Sequence, residues 1–219
     1  MKDRVLIKEI FESIQGEGLY VGVNQLFIRF SNCNLSCKYC DTDFKSNLKE
    51  YSVDELIKEV DKHKNIHSVS LTGGEPLLEI DFLLNFLPKI NNIIYLETNG
   101  TLYKNLQEII QYTDIISMDI KLHSCSNNKD LFLNHEEFIK IAKEKELFLK
   151  IVFDENITNE EIQKCCNLGK KYNLPIILQP KMDGEILKLN TQLIENIFYK
   201  FIKLYSNIRL IPQVHKFLY

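Results

Sequence analysis

The sequence predicts an α/β protein built on a mostly parallel sheet. Two observations carry that expectation. Seven short apolar runs rich in branched residues recur along the 219-residue chain, with helical patterns between most of them. The polar and glycine-rich stretches fall directly after those runs, at the strand ends where α/β sheets and barrels carry their sites. Such alternation fits an open doubly wound sheet or an incomplete barrel, and periodicity alone does not choose between them.

The runs lie at 26–30, 68–71, 93–96, 115–120, 148–153, 176–178 and 208–211. Helix starts are announced between them. Ser52 precedes Glu55 by three residues, Asn134 precedes Glu137, and Thr158 precedes Glu161. Each pair fits a capping box, in which two side chains satisfy free N–H groups of the first turn. The last helix, about 191–205, carries a stripe of Leu193, Ile194, Ile197, Phe198, Phe201, Ile202 and Leu204. With 45% hydrophobic residues and no repeat or long linker, residues 1–219 read as one domain.

The charge balance is 27 Lys and Arg against 30 Asp and Glu, a net charge of −3. That argues against a dedicated nucleic-acid binder. No apolar run approaches the roughly 18 residues of a membrane span. The N-terminal stretch is broken by charges and lacks the apolar segment of a signal peptide. A cytoplasmic protein with reduced thiols is expected, so clustered cysteines point to a metal or to catalysis rather than to disulfides. Cys125, Cys165 and Cys166 are scattered or adjacent and read as bland.

The cluster is "CNLSCKYC", with Cys33, Cys37 and Cys40 directly after the first good strand. Three close thiolates can bind zinc or an iron–sulfur cluster. A structural zinc site or a ferredoxin-type cluster normally takes four protein ligands, and the fourth is missing here. A three-cysteine [4Fe–4S] cluster leaves one iron open to a ligand. "TGGEP" (72–76) follows the next strand, and its glycines allow backbone to approach a ligand closely. No G-x-G-x-x-G is present, so a dinucleotide site has no support.

The C-x3-C-x2-C spacing with an aromatic before the last cysteine resembles the radical S-adenosylmethionine (SAM) enzymes. In them the open iron is chelated by SAM, and the reduced cluster cleaves SAM to a 5′-deoxyadenosyl radical. The further set "FESIQGEG" (11–18), "FIRF" (27–30), "CDTDF" (40–44), "ETNG" (97–100), "LQP" (178–180) and "PQVHK" (212–216) stands in order. It is similar to the 7-carboxy-7-deazaguanine synthase family of the queuosine and deazapurine pathway, over nearly the whole length. The resemblance implies a shortened, incomplete (β/α)6 TIM-like barrel. It also implies a lyase that converts 6-carboxy-5,6,7,8-tetrahydropterin to 7-carboxy-7-deazaguanine by radical ring contraction with loss of ammonia.

The same resemblance implies the site. Cys33, Cys37 and Cys40 would hold the cluster, and Thr42 would ligate Mg²⁺, although by itself Thr42 reads as a turn residue. Tyr39, Cys40, Asp41, Gly74, Asp119, Lys121, Gln179 and Pro180 would contact SAM. In the fourth strand some relatives read Ser-Pro-Lys where this chain reads Asp119-Ile120-Lys121. Ile14, Gln15, Gly16, Glu17, Arg29, Thr72, Glu97, His215 and Tyr219 would contact the pterin. Arg29 also stands out by composition: it is one of three arginines against 24 lysines, inside an apolar strand. Its planar guanidinium suits a carboxylate or pterin edge, or a structural ion pair. Glu17 also reads as part of a turn, Glu97 as a cap and His215 as a surface group. Implied partners are a flavodoxin or ferredoxin as electron donor and a second copy in a homodimer. A radical SAM activase acting on a protein shares the cysteine spacing, and a non-catalytic Fe–S or zinc module is the second rival.

Overall fold

A computed structural model describes residues 3–40, 46–184, 186–187 and 189–218. The chain opens with β1 (Arg4–Ile14) and β2 (Asn24–Phe30), an antiparallel pair. The short β3 (Lys49–Ser52) lies on the other side of β1 and leads into α1 (Val53–Val60). Strands then alternate with helices: β4 (Ser68–Gly73), α2 (Ile80–Phe86), β5 (Ile94–Thr98), α3 (Tyr103–Ile109) and β6 (Ile115–Asp119). They continue with α4 (His123–Ser126), α5 (Phe132–Ala142), β7 (Glu146–Phe153), α6 (Asn159–Tyr172) and β8 (Ile176–Pro180). A small hairpin of β9 (Met182–Asp183) and β10 (Ile186–Leu187), then α7 (Thr191–Leu204) and β11 (Ile208–Leu210), end the series.

The main sheet runs β11-β8-β7-β6-β5-β4-β2-β1-β3. From β2 to β11 every pairing is parallel. Neither β11 nor β3 pairs with the other, so the sheet is an unclosed barrel wall with antiparallel strands at one edge. The seven apolar runs all became parallel strands, with ends shifted by a residue or two. The antiparallel β1 and β3 were not foreseen, because charges interrupt β1. Those charges are tolerated by alternation: Val5 and Ile7 are buried while Arg4 and Leu6 face out.

The parallel strands from β4 to β8 are buried on both faces, as sheets covered by helices are, while the edge strand β11 is partly exposed. One face packs against the helices through Phe82, Phe86, Phe138, Ile162 and Phe201, all essentially inaccessible. Each such side chain contributes about 1.5–3 kcal/mol through burial. The other face begins apolar. Tyr95, Ile115, Phe148 and Ile177 form a separate small core, one from each of four neighbouring strands. Two residues further along the same strands stand Glu97, Ser117, Lys150 and Gln179, and a step later Asp119. With a period of two, these polar residues share the inner face with the apolar plug and lie above it.

Two of the three capping boxes form. Ser52 accepts from Glu55 N while Glu55 accepts from Ser52 N, and Thr158 and Glu161 do the same. The Asn134 box does not: α5 starts earlier, at Phe132, and Asn134 lies within its first turn. There Asp130 accepts from Phe132 N at 2.9 Å, which fixes the start of the helix before Asn134 is reached. Glu161 does more than cap. It accepts from Ser124 Oγ at 2.6 Å and Ser124 N at 3.0 Å, tying α6 to α4. Thr158→Ala is expected to lower stability by about 1 kcal/mol, read as a lower urea midpoint with an unchanged slope.

Candidate active site

A cavity of about 660 Å³ opens above the apolar plug. Its wall brings together Ile14, Gln15, Gly16, Glu17, Arg29, Cys33, Cys37, Tyr39, Cys40, Thr72, Gly74, Glu97, Asp119, Lys121, Gln179 and His215. These residues span nearly the full chain, and their convergence is a product of the sheet. Pro180 is buried in β8 opposite Phe153, while its neighbour Gln179 faces the cavity. Asp41, Thr42 and Tyr219 lie outside the described residues.

The cysteine loop is held from three sides. Gly74 N donates to Phe30 O at 3.1 Å and Glu75 N to Asn32 O at 2.6 Å, which staples the end of β4 to the start of the loop. A Cβ at Gly74 would run into the Asn32 carbonyl, so the contact requires glycine. Asn34 exchanges hydrogen bonds with Asn99 and Thr101, both at 2.9 Å, beyond the end of β5. Lys38 N donates to Ser126 O at 2.9 Å, and Asn128 Nδ2 donates to Cys37 Sγ at 3.1 Å.

All three thiols are free, Cys33 and Cys37 partly buried and Cys40 exposed. Burial pushes the Cys33 and Cys37 thiols up, while the Lys121 charge favours their thiolates. Among the described residues no three His, Cys, Asp or Glu side chains form a closed metal site. Three thiols on one loop, with a hydrogen-bond donor and an ammonium beside them, are nevertheless the donor set an open-iron cluster takes.

The wall also offers places for a polar ligand. Tyr39 Oη, Asp119 Oδ1 and Gln179 Oε1 are buried with no hydrogen-bond partner among the described residues. Such orphaned atoms are costly unless a ligand or water satisfies them. Tyr39 is flanked by cations, with Lys121 Nζ 5.4 Å and Lys181 Nζ 5.8 Å from its ring centre. These features suit a cofactor with an amino-acid end and an aromatic base.

The charges along the cavity wall are ordered by partners. Asp119 Oδ2 lies 2.9 Å from Lys121 Nζ and 3.5 Å from Lys150 Nζ. Lys150 also forms a short ion pair with Glu17, whose other oxygen accepts from Gln213 Nε2 at 2.7 Å. Burial opposes ionisation of Glu17, yet Lys150 outweighs it and the carboxyl falls to about 2. Burial likewise opposes the Lys150 charge, but Glu17 and Asp119 raise its pKa. Lys150 was missed in the sequence. Its signal was the same as that of Arg29: a lone cation inside an apolar strand, "LFLKIVF".

Gln15 is buried, and its amide N–H groups both go to protein, 2.9 Å from Gln25 Oε1 and 2.9 Å from Glu97 Oε1. Its carbonyl accepts from Glu17 N at 3.0 Å. Glu97 caps no helix; it accepts from Thr72 Oγ1 at 2.8 Å as well as from Gln15. Arg29 Nε pairs with Glu9 at 2.7 Å across the β1–β2 ladder while the side chain also lines the cavity. His215 is no free surface group. It packs on Gly16, where a Cβ would collide with its ring, and Val214 N donates to Gly16 O at 2.9 Å.

A curled, mostly parallel sheet with a three-cysteine loop after its first parallel strand defines a radical SAM enzyme, and residues 27–185 match the Radical SAM superfamily. Within that class the chain is 35% identical to the 7-carboxy-7-deazaguanine synthase of Geobacter sulfurreducens, across 97% of this chain and 96% of that one. It is 34% identical to the enzyme of the same name from Archaeoglobus fulgidus, across 98% of each. The chain belongs to the 7-carboxy-7-deazaguanine synthase family. Membership carries a [4Fe–4S] cluster, SAM, lyase chemistry and a small-molecule substrate, and it sets aside the protein-activase and zinc-module readings. A crystal structure of QueE from Escherichia coli shares the fold, with a TM-score of 0.64 at 19% identity over 97% of this chain and 95% of that one.

Gly74→Ala is expected to push the cysteine loop off β4, lowering the melting temperature and the iron bound per chain; an unchanged iron content would show that the close contact is dispensable. Glu75, fully buried, is pushed up to about 7 by burial, despite accepting from Asn99 N, Thr98 Oγ1 and Leu77 N. The unfolded chain releases this proton near 4.5 and the folded chain near 7. Stability from this group therefore falls as pH rises across that window, by about 3 kcal/mol. Glu75→Gln should flatten the fall, measured by urea titrations at pH 5 and pH 7.5.

Proposed function

We propose that this cavity converts 6-carboxy-5,6,7,8-tetrahydropterin to 7-carboxy-7-deazaguanine, with ring contraction and loss of ammonia. The observation that carries the reading is one cavity that brings together the three thiols, orphaned polar atoms, and carboxylates and cations ordered by one another. When bound, the reduced cluster and SAM would supply a carbon-centred radical able to remove hydrogen from C6 of the pterin. Tyr39, Asp119 and Gln179, with Gly74 and Lys121, would hold SAM beside the cysteine loop. The ionised Glu17 suits the paired N–H donors of a pterin's amidine edge, since its two oxygens together accept up to about four hydrogen bonds. Arg29 and His215 suit the substrate carboxylate. Glu97, fixed by Thr72 and Gln15, would hold a ring N–H on the pterin. Ile14 and Gly16, which line the cavity, would bound the ring plane.

Mg²⁺ at Thr42, a contact from Tyr219, an electron donor such as a flavodoxin or ferredoxin, a homodimer and a cytoplasmic setting belong to the same reading. So does residues 1–219 acting as a single domain. No helix among the described residues is long and apolar enough to cross a membrane.

Anaerobic reconstitution with iron and sulfide, followed by reductant, SAM, Mg²⁺ and the pterin, is expected to give carboxydeazaguanine by mass spectrometry. Cys33→Ala should abolish it. SAM cleavage without the deazapurine, from a loaded enzyme, would overturn the substrate assignment.

A further inference from the structure

The cavity's two halves meet at one side chain. Lys150 projects from the middle of β7, in a strand otherwise buried and apolar after its first residue. Its ammonium bridges Glu17, on the pterin side, and Asp119, on the SAM side. The two carboxylates come from distant parts of the chain, a loop after β1 and the end of β6. A buried strand position is an expensive place for an ammonium, and burial is compensated only because both anions are present. The bridge continues outward: Lys121 holds the same Asp119 oxygen and sits over Tyr39, while Gln213 holds the far oxygen of Glu17. The result is a chain of charged contacts from the cysteine loop to the C-terminal segment.

We infer that Lys150 is a positioning residue that sets Glu17 for the pterin and steadies Asp119 for SAM. This rests on the proposed substrate. The two dependences are unequal. Glu17 has Lys150 as its ion-pair partner, with Gln213 as a neutral donor, and its backbone N–H donates to Gln15. Asp119 has Lys121 closer than Lys150, at 2.9 Å against 3.5 Å. Loss of Lys150 therefore leaves Asp119 with an ion-pair partner and Glu17 with none among the described residues. Both ligands of this kind bind through fixed oxygens, so a loosened Glu17 costs pterin affinity far more than SAM affinity.

The test uses the reconstituted enzyme with its cluster oxidised, so that no turnover occurs. Dissociation constants for 6-carboxy-5,6,7,8-tetrahydropterin and for SAM are measured anaerobically by calorimetry in Lys150→Gln, Glu17→Gln and the double variant. Lys150→Gln should weaken pterin binding by about tenfold, the scale of a lost charge-assisted contact, and SAM binding by only two- to threefold. The double variant should bind the pterin no more weakly than Glu17→Gln alone, because Lys150 acts through Glu17. Equal losses for both ligands, or losses that multiply in the double variant, would overturn the inference and leave Lys150 a structural cation. If Lys150→Gln fails to fold, the comparison of the double variant with Glu17→Gln decides alone, since removing both members leaves no uncompensated Glu17–Lys150 charge. A wild-type enzyme that binds SAM but not the pterin would instead sink the proposed substrate.

Discussion

The structure depends on one constraint, the two-residue period of parallel strands that are buried on both faces. Each strand must present one row to the helices and the other to the inside of the curl. The outer row is apolar through residues such as Leu26, Val69, Leu96, Ile116, Leu149 and Ile176, and Thr98 at the end of β5 departs from it to reach Glu75. The inner row changes character along its length, from Tyr95, Ile115, Phe148 and Ile177 to Glu97, Ser117, Lys150 and Gln179 two residues later. The apolar plug fixes the spacing of the strands. The polar row above it is then held in a geometry that loops alone could not maintain.

On that base the cysteine loop is fastened at many small points rather than by one strong bond. Backbone hydrogen bonds join it to the end of β4, side-chain amides join it to the segment after β5, and Lys38 and Cys37 meet the residues around α4. Each contact is worth about 1 kcal/mol net. Together they present three thiols on the wall of the cavity. The Gly74 contact is the least forgiving of them, because no side chain fits between the two backbones.

Buried charge is the second organising feature. Two lysines and two carboxylates are withdrawn from water in one line, and none would be stable alone. Their mutual compensation holds Glu17 as a carboxylate and both lysines as ammoniums. It also leaves Asp119 with one oxygen unpartnered among the described residues and Glu17 with both oxygens oriented, so the wall is ready for ligands before either arrives. Preorganisation of this kind lowers the cost of binding.

The sequence by itself determined the alternation of strands and helices, two of the three helix caps, the position of the site at the strand ends, and the cysteine spacing. These are local properties: apolar runs of a few residues, a Ser or Thr three residues before a Glu, and thiols within one loop. It also marked Arg29, by the oddity of a cation in an apolar strand. Only the tertiary structure decided the rest. The antiparallel β1 and β3 are set by pairing partners far along the chain, and Asn134 lost its cap because Asp130 begins the helix sooner. Lys150 carried the same local mark as Arg29, yet its meaning lay in Glu17 and Asp119, which only the folded sheet brings to it. Long-range charge pairing has no period in a sequence, and that is why the bridge across the cavity was visible only in three dimensions.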